Sequence, residues 1–200
     1  MSLFDNATFP LCAIRGVSKS ETFPVDVQTN GFNEYRSTPF EWEYFTWTIP
    51  SWGLLEDEKK SLVSFLRQRK YGLRSFLYQD PDMPSLQNNI VANYNGGTQW
   101  VLTLAYDDNV PGKHPIFHPG TLEVRKNGFI VGHSFSIVNG VPILNVPGSV
   151  PTDVIRVSGP IFYSVRLDSP FSWTITALNS TNTAAIATHA DIQLKEVFEY

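Results

Sequence analysis

The chain of 200 residues has little charge and almost no cysteine. Charged residues make up 17% of it, and its formal net charge is −4, whereas charged residues form about a quarter of a typical globular chain. A protein that grips nucleic acid usually presents a basic face, so this composition disfavours that function. The single cysteine, Cys12, cannot form an internal disulfide. We expect it to be a buried, reduced thiol in a chain made in the cytoplasm.

No targeting or membrane-spanning segment is predicted. Residues Met1–Pro10 include Asp5 and have no basic region, so they do not resemble a signal peptide. No apolar run approaches the roughly 20 residues that a transmembrane helix needs. We therefore expect a protein that is soluble or becomes part of a soluble assembly.

The motifs of nucleotide binding and nucleophilic catalysis are missing as well. The sequence has no GxGxxG or GxxxxGK[ST] phosphate loop and no GxSxG nucleophile elbow. Two acidic pairs, Asp80/Asp82 and Asp107/Asp108, fall in predicted turns. General acid–base chemistry needs carboxylates that converge on a cleft. We interpret these four acids as turn residues instead.

The histidine-rich segment is not a convincing metal site. His114 and His118 are four residues apart, but Pro115 and Pro119 prevent a regular helix that would align them. No further ligand lies at a spacing that zinc requires, so we interpret the histidines as turn residues. We predict no catalytic, cofactor-binding or metal-binding residues and no enzymatic activity.

The sequence is rich in aromatic residues, with 14 Phe, 8 Tyr and 5 Trp. Aromatic residues favour strands and also anchor interfaces between subunits. Phe40–Pro50 concentrates bulky apolar residues, among them Trp42, Tyr44, Phe45, Trp47 and Ile49. We predict a strand with bulky side chains on both faces, which is either enclosed in the core or covered by another subunit.

One amphipathic helix is predicted over Leu54–Lys70. Leu55, Leu62 and Leu66 recur at helical spacing, so this stripe is expected to lie on a sheet. Acidic residues crowd the first turn, and the basic tract Arg67-Gln68-Arg69-Lys70 follows at the end. This order complements the helix dipole, which explains the basic tract without nucleic-acid contact. Gly72 is expected to provide a left-handed C-terminal cap.

The remainder of the chain indicates short antiparallel strands. Asn127-Gly128 and Asn139-Gly140 each separate two strand-like runs, a strong hairpin signal. The predicted fold is mainly β with one prominent helix, an antiparallel β-sandwich or barrel with the helix packed on a sheet. The predicted strands are Leu11–Val17, Phe23–Val27, Phe40–Pro50, Leu73–Tyr78, Thr98–Tyr106, Gly120–Lys126, Phe129–Val131, Ser134–Val138, Val154–Val157, Ile161–Leu167, Phe171–Ala177 and Asp191–Phe198.

Four motifs resemble the distal tail protein family of phages and gene transfer agents. The helix ends in Leu62–Lys70 and is followed by Gly72, a Phe-containing strand and the Asp80-Pro81-Asp82 turn. Three later segments, Gly120–Val131, Gly159–Ser169 and Ile192–Val197, resemble the family's Asn-Gly hairpin, its Gly-x-Phe-x-x-x-Val-Arg-Phe-Asp strand and its closing strand. The four motifs occur in the family's order.

The resemblance implies a structural virion protein at the tail tip. Identical subunits, typically six, would form a ring that joins the tail tube protein to the baseplate hub protein, and DNA would pass through the lumen without specific binding. Assembly would take place in the host cytoplasm. On this interpretation residues 1–200 form one distal-tail-type β domain, with an N-terminal extension at 1–22, the helix at 54–70 and a strand-rich half at 98–200.

Two other functions remain open from the residues alone. A carbohydrate-binding β-sandwich for host recognition would use exposed aromatic rings that stack on sugars. A hydrolase would use the acidic pairs described above. Tryptophan lies more often in a core or a subunit interface than in a sugar-binding site. The candidate sugar-stacking residues are Trp42, Trp47, Trp52, Trp100 and Trp173.

Overall fold

The computed structural model describes residues 4–10, 16–22, 26–30, 33–37, 44–90, 92–104, 114–117, 122–178 and 185–198. These residues form twenty β-strands and one α-helix, α1 (Glu56–Gln68). In chain order the strands are β1 (Phe4–Thr8), β2 (Ser18–Thr22), β3 (Asp26–Asn30), β4 (Asn33–Ser37), β5 (Tyr44–Ile49), β6 (Gly53–Leu54), β7 (Ser75–Tyr78), β8 (Ser85–Ile90), β9 (Ala92–Gly96), β10 (Gln99–Leu104), β11 (His114–Pro115), β12 (Glu123–Lys126), β13 (Phe129–Ile130), β14 (Ser134–Val138), β15 (Val141–Asn145), β16 (Ile155–Pro160), β17 (Tyr163–Leu167), β18 (Trp173–Leu178), β19 (Ala185–His189) and β20 (Ile192–Glu196).

The strands form several sheets that pack together, as predicted for a mainly β fold with one helix. The largest sheet has the order β1-β7-β17-β20-β5-β2. A second sheet has the order β11-β10-β15-β14, with β9 also paired to β10, and a third has the order β13-β12-β16-β8. Smaller sheets are β18-β19-β6 and the hairpin β3-β4. Among the described strands these sheets stay open, so the sandwich alternative is confirmed over the closed barrel.

Segments from both ends of the chain build the six-stranded sheet. Strand β1 runs parallel to β7 and forms one edge, while β20 lies between β17 and β5 in the interior. The segment interpreted as an N-terminal extension therefore contributes β1 and β2 to the main sheet. Cys12 lies outside the described residues.

The predicted helix is confirmed, with shifted ends. It begins at Glu56 because Gly53–Leu54 forms strand β6, which pairs with β19. Leu62 and Leu66 are fully buried, and the helix contacts β6 and β19, so its apolar stripe lies on a sheet as expected. Leu55 does not belong to the stripe; it is the N-cap residue and is 60% exposed. Among the described residues, no helix combines the length and the apolarity needed to cross a bilayer.

A short 3-10 turn follows α1 and reverses the chain toward β7. Gly72 has a positive φ of 104°, but it does not cap α1, because the C-cap is Arg69 with a φ of −97°. Lys70 and Tyr71, which come directly after that cap, are left-handed, with φ values of 51° and 50°. A Cβ at Gly72 would lie 2.7 Å from the carbonyl oxygen of Leu167. Glycine is therefore required at position 72 by its backbone conformation and by this close approach.

Both Asn-Gly hairpins occur as predicted. Asn127-Gly128 joins β12 to β13, and Asn139-Gly140 joins β14 to β15. Both asparagines and both glycines have positive φ, between 51° and 89°. This conformation matches the twist of two-residue antiparallel hairpins.

Strand β5 corrects the prediction of a segment with bulky side chains on both faces. Phe45, Trp47 and Ile49 point into the core and are at most 2% exposed, whereas Tyr44 and the two threonines alternate with them and are partly exposed. Trp42 lies outside the described residues. Eight observed strands were not predicted: β1, β2, β4, β6, β8, β9, β11 and β19. The predicted strand Leu11–Val17 is described only at Gly16 and Val17, which lie outside any strand.

One core of aromatic and aliphatic side chains connects the six-stranded sheet with α1. Phe9 stacks on Phe76, with 5.6 Å between ring centroids, and meets Phe65 of the helix edge-on at 5.7 Å. Trp47 contacts Tyr78 and Tyr163, each at 5.3 Å. Such pairs stabilise beyond the area that they bury, because rings attract one another in these geometries.

The helix N-terminus provides a stability test. The Glu58 carboxylate accepts a hydrogen bond from the Leu55 N–H at 2.9 Å, which is one half of a capping box. Leu55 has no side-chain oxygen for the other half. We expect Leu55→Ser to raise the free energy of unfolding by about 1 kcal/mol, because a serine cap satisfies a free helical N–H group. Urea denaturation measures the change, and Leu55→Ala is the control; an equal effect of both substitutions would contradict the capping argument.

Candidate functional site

The Asp80 carboxylate forms a buried ion pair with Lys19. Asp80 follows β7 and is 1% exposed, and its Oδ2 lies 2.7 Å from Nζ of Lys19 on β2. Its Oδ1 accepts a hydrogen bond from the Asp82 N–H at 3.0 Å. Asp82 itself is exposed. Asp80 therefore plays the predicted turn role through its Oδ1, and its Oδ2 pairs in addition with Lys19.

Aromatic rings surround the Lys19 ammonium group. Nζ lies 3.9 Å from the centroid of Phe45 and 5.8 and 5.7 Å from those of Trp47 and Tyr163. Ring faces attract cations, so this contact adds to the ion pair. An open hollow of about 530 Å³ lies beside the pair, lined by Lys19, Asp80 and Asp82 with Gly16, Val17 and Pro81. Within it Lys19 and Asp80 neutralise each other, and the exposed Asp82 leaves one negative charge at the rim.

Two buried tyrosines lie near this ion pair. Tyr78 and Tyr163 are fully buried, and neither hydroxyl has a hydrogen-bond partner among the described residues. Burial raises the pKa of both phenols, and the negative charge of Asp80 raises it further. Both side chains are therefore neutral in the folded protein at physiological pH.

His114 does not occupy a surface turn, so its predicted role is wrong. It lies on β11, is fully buried, and its Nδ1 is 2.8 Å from Oε2 of Glu196 on β20. The same carboxylate accepts a hydrogen bond from the Phe45 N–H at 3.0 Å, and the Phe45 ring stacks on the imidazole. His118 lies outside the described residues, as do Asp107 and Asp108.

The sequence did contain a signal for Glu196. Ile192 and Leu194 point into the core, and the twofold period of a strand places Glu196 on the same face. A buried acid needs a partner, but its partner His114 is 82 residues away. Within the described ranges, no group of three or more His, Cys, Asp or Glu residues could hold a metal ion.

The basic tract at the helix end divides into exposed and buried residues. Arg67 and Gln68 are exposed. Arg69 is only 4% exposed, lies 3.1 Å from the Asp5 carboxylate and stacks on Phe65. Arg69 thus joins α1 to β1. Its guanidinium also donates to the Phe65 carbonyl at 2.8 Å in the last turn of the helix, in agreement with the predicted helix-end role.

The candidate tryptophans also separate by burial. Trp47 and Trp100 are core residues at 0% and 3% exposure, and the Trp100 indole donates to Ser149 at 2.8 Å. Trp52 is partly buried against the core. Trp173 is 42% exposed at the start of β18. Trp47 and Trp100 are therefore too deeply buried to stack on a sugar.

The most exposed apolar side chains lie on the β12–β13 hairpin. Phe129 and Ile130 are 78% and 65% exposed, and β13 is one of the two edge strands of its sheet. Adjacent strand residues point to opposite faces, so both faces of the hairpin end are uncovered. Val150 and Val154, on the loop before β16, are also exposed. These four residues are named the apolar edge.

Hydrogen bonds fix the loop against the hairpin. Asn127 exchanges two bonds with Val154, and its side-chain amide donates to the Asp153 carboxylate at 2.7 Å. The Val150 N–H also donates to Asp153, and these bonds lower the pKa of that carboxyl. Lys126 donates to the Gly148 carbonyl at 3.0 Å. These hydrogen bonds hold the apolar edge in one conformation, so it is a rigid, or braced, surface.

Neither the models of known protein families nor the sequences of curated proteins give a match to this chain. The function has to be inferred from its residues and their geometry.

The buried phenols predict a pH dependence. Their folded-state pKa is raised above the ordinary value of about 10, so the folded state favours the neutral form. The associated stability is present below pH 10 and is lost as the pH rises toward the folded-state pKa, because the unfolded chain ionises first. We expect the Tyr78→Phe/Tyr163→Phe double variant to unfold at a higher alkaline pH than the wild type, as monitored by fluorescence. Exposed Tyr94→Phe is the control, and an identical shift there would refute the assignment.

The Lys19–Asp80 pair predicts a coupled loss of stability. Lys19→Met leaves a buried, uncompensated carboxylate, so we expect it to lower the free energy of unfolding by about 2 kcal/mol. Asp80→Asn in addition should recover part of this loss, because the buried charge disappears. Urea denaturation of the two single variants and the double variant measures the coupling; strictly additive losses would mean that the two groups do not interact.

Proposed function

We propose that this chain is a structural subunit of a phage-like tail tip. Identical copies, typically six, form a closed ring that joins the tail tube protein to the baseplate hub protein. The observation that carries the proposal is the apolar edge, since Phe129 and Ile130 expose large apolar surfaces on an outer strand. Apolar side chains at a strand edge are suited to subunit contacts.

A closed ring requires two different surfaces on each subunit, one that inserts and one that receives. The apolar edge supplies the first. Open strand edges elsewhere on the described chain offer the second, for example β14, the outer strand of its sheet, which ends in the exposed Val138. The segment Phe40–Pro50, considered as interface material from the sequence, contributes core residues in its described part and is not part of this proposal.

The chemistry of the buried groups supports a structural role. Asp80 and Glu196 are buried acids, but Lys19 and His114 respectively pair with them. The net charge of −4 fits a lumen that passes DNA without retaining it, because a negative wall does not attract phosphates. The motif resemblance supplies the location, a virion tail tip assembled in the host cytoplasm.

The carbohydrate-binding alternative loses two of its five candidate residues to the core. Trp47 and Trp100 are buried and Trp52 is partly buried, so only Trp173 among the described tryptophans has substantial exposure. A sugar-binding platform built from several tryptophans is therefore not supported. This weighs in favour of the structural subunit.

The ring can be tested through Phe129. We expect the purified wild type to form a closed oligomer, typically a hexamer, in light scattering and electron micrographs. Phe129→Asp should reduce the mass to that of one chain, because a charge at the centre of an apolar contact destabilises it by about 2 kcal/mol or more per interface. The substitution should leave the subunit folded, since Phe129 is 78% exposed.

Leu55→Ser is the matched control for this experiment. It removes another exposed apolar side chain, 60% exposed, from a site outside the apolar edge. Rings should persist in this variant. A wild type that stays monomeric at high concentration and forms no rings, or rings that persist in Phe129→Asp, would refute the apolar edge as the assembly surface.

A further inference from the structure

A basic groove lies between helix α1 and strand β18. It has a volume of about 340 Å³, and its walls contain no acidic residue among the described ones. The helix contributes Lys60, Ser64 and Arg67, which are spaced by four and three residues and so share one face. Trp173 forms the opposite wall.

The position of Trp173 is fixed from both sides. It begins β18, where it pairs in register with His189 of β19. The Lys59 ammonium lies 4.4 Å from the indole centroid and 2.9 Å from the Glu56 carboxylate. Lys59 therefore holds the indole against the helix, and 42% of the Trp173 surface remains accessible.

The other two cations remain available to a ligand. Lys60 is exposed, and its ammonium lies 3.9 and 4.0 Å from the Glu56 and Asp57 carboxylates, long contacts that water screens strongly. Arg67 donates through Nε to the Tyr71 hydroxyl at 3.1 Å, which orients the guanidinium. Its terminal nitrogens can still donate to an anion, because a guanidinium carries five N–H donors.

This combination of groups selects a ligand class. An indole stacks on the apolar face of a sugar ring, and Lys60 and Arg67 attract anionic substituents. The Ser64 hydroxyl and the Gln68 amide, also in the wall, can bond sugar hydroxyls. Nucleic acid fits less well, because it is gripped by a longer array of cations than two and this chain carries a net charge of −4. An acidic peptide would gain little from the exposed indole.

We propose that the groove between α1 and β18 binds an acidic carbohydrate, one whose sugar rings carry sulfate, phosphate or carboxylate groups. Its volume is at the lower end of the range for small-ligand sites, roughly 300–1,000 Å³, so it contacts a short stretch of a polymer at a time. The groove is separate from the apolar edge, and its binding does not depend on ring assembly.

Calorimetry with the full chain tests the ligand class. The probes are dextran sulfate, neutral dextran, single-stranded poly(dT) and poly-L-glutamate at one salt concentration. We expect dextran sulfate to bind at least about tenfold more tightly than each of the others, since it alone offers both sugar rings and anions. Absence of dextran sulfate binding, or equal binding of poly(dT) or poly-L-glutamate, would overturn the proposal.

Substitutions then locate the site. Trp173→Ala and the double variant Lys60→Gln/Arg67→Gln should each weaken dextran sulfate binding about fivefold or more, while Trp173→Phe retains most of it. The matched control is Arg125→Gln/Lys126→Gln, which removes the same charge from β12. If the control weakened dextran sulfate binding equally, the binding would be a nonspecific effect of charge. That result, or an unchanged affinity in Trp173→Ala, would refute the site.

Two further measurements separate this result from folding and from the ring. Thermal unfolding of each variant establishes that the subunit is intact. Dextran sulfate binding by Phe129→Asp should equal that of the wild type per chain. A loss of dextran sulfate binding in Phe129→Asp would contradict a site on α1 and β18. If the wild type formed no rings, the proposed function would fail, but dextran sulfate binding at the groove would still support this inference.

Discussion

The packing of Trp47 is the contact on which the described fold depends. Its ring is fully buried and meets Phe45, Tyr78 and Tyr163 at centroid distances between 5.3 and 5.7 Å. These rings come from β5, β7 and β17, so the cluster joins strands that are distant in sequence. Phe9 and Phe65 continue the contacts from Tyr78 to the helix. Large rings bury much area in few residues, which allows short strands to form a stable core.

The same cluster determines where the polar groups of the core can lie. Lys19 reaches over Phe45 to Asp80, and His114 stacks on the same ring while it bonds Glu196. A buried charge is tolerated when it is paired and hydrogen-bonded. Acids and a histidine that could suggest chemistry in a linear sequence are therefore explained here by the demands of one aromatic core.

Local sequence signals predicted local structure well. The dipole-matched charges around α1 and both Asn-Gly turns depend on residues within a few positions of each other, and these elements are confirmed. Predictions that depended on distant partners were less successful. The buried Arg69 pairs with Asp5 of β1, and the buried His114 pairs with Glu196 of β20. Neither pair is visible as a pattern along the chain. Leu55 follows the helical period, but the turn from β6 into α1 makes it a cap residue.

The contrast between the core and the apolar edge favours assembly. Phe9, Phe76 and Trp47 are at most 1% exposed, whereas Phe129 is 78% exposed. The uncovered side chains lie on a hairpin whose turn and neighbouring loop are held by Asn127 and Asp153. A braced surface loses little conformational entropy when it binds, so more of the energy of apolar burial remains to stabilise a contact. Exposure of large apolar side chains on such a rigid outer strand is therefore consistent with the proposed contact between subunits.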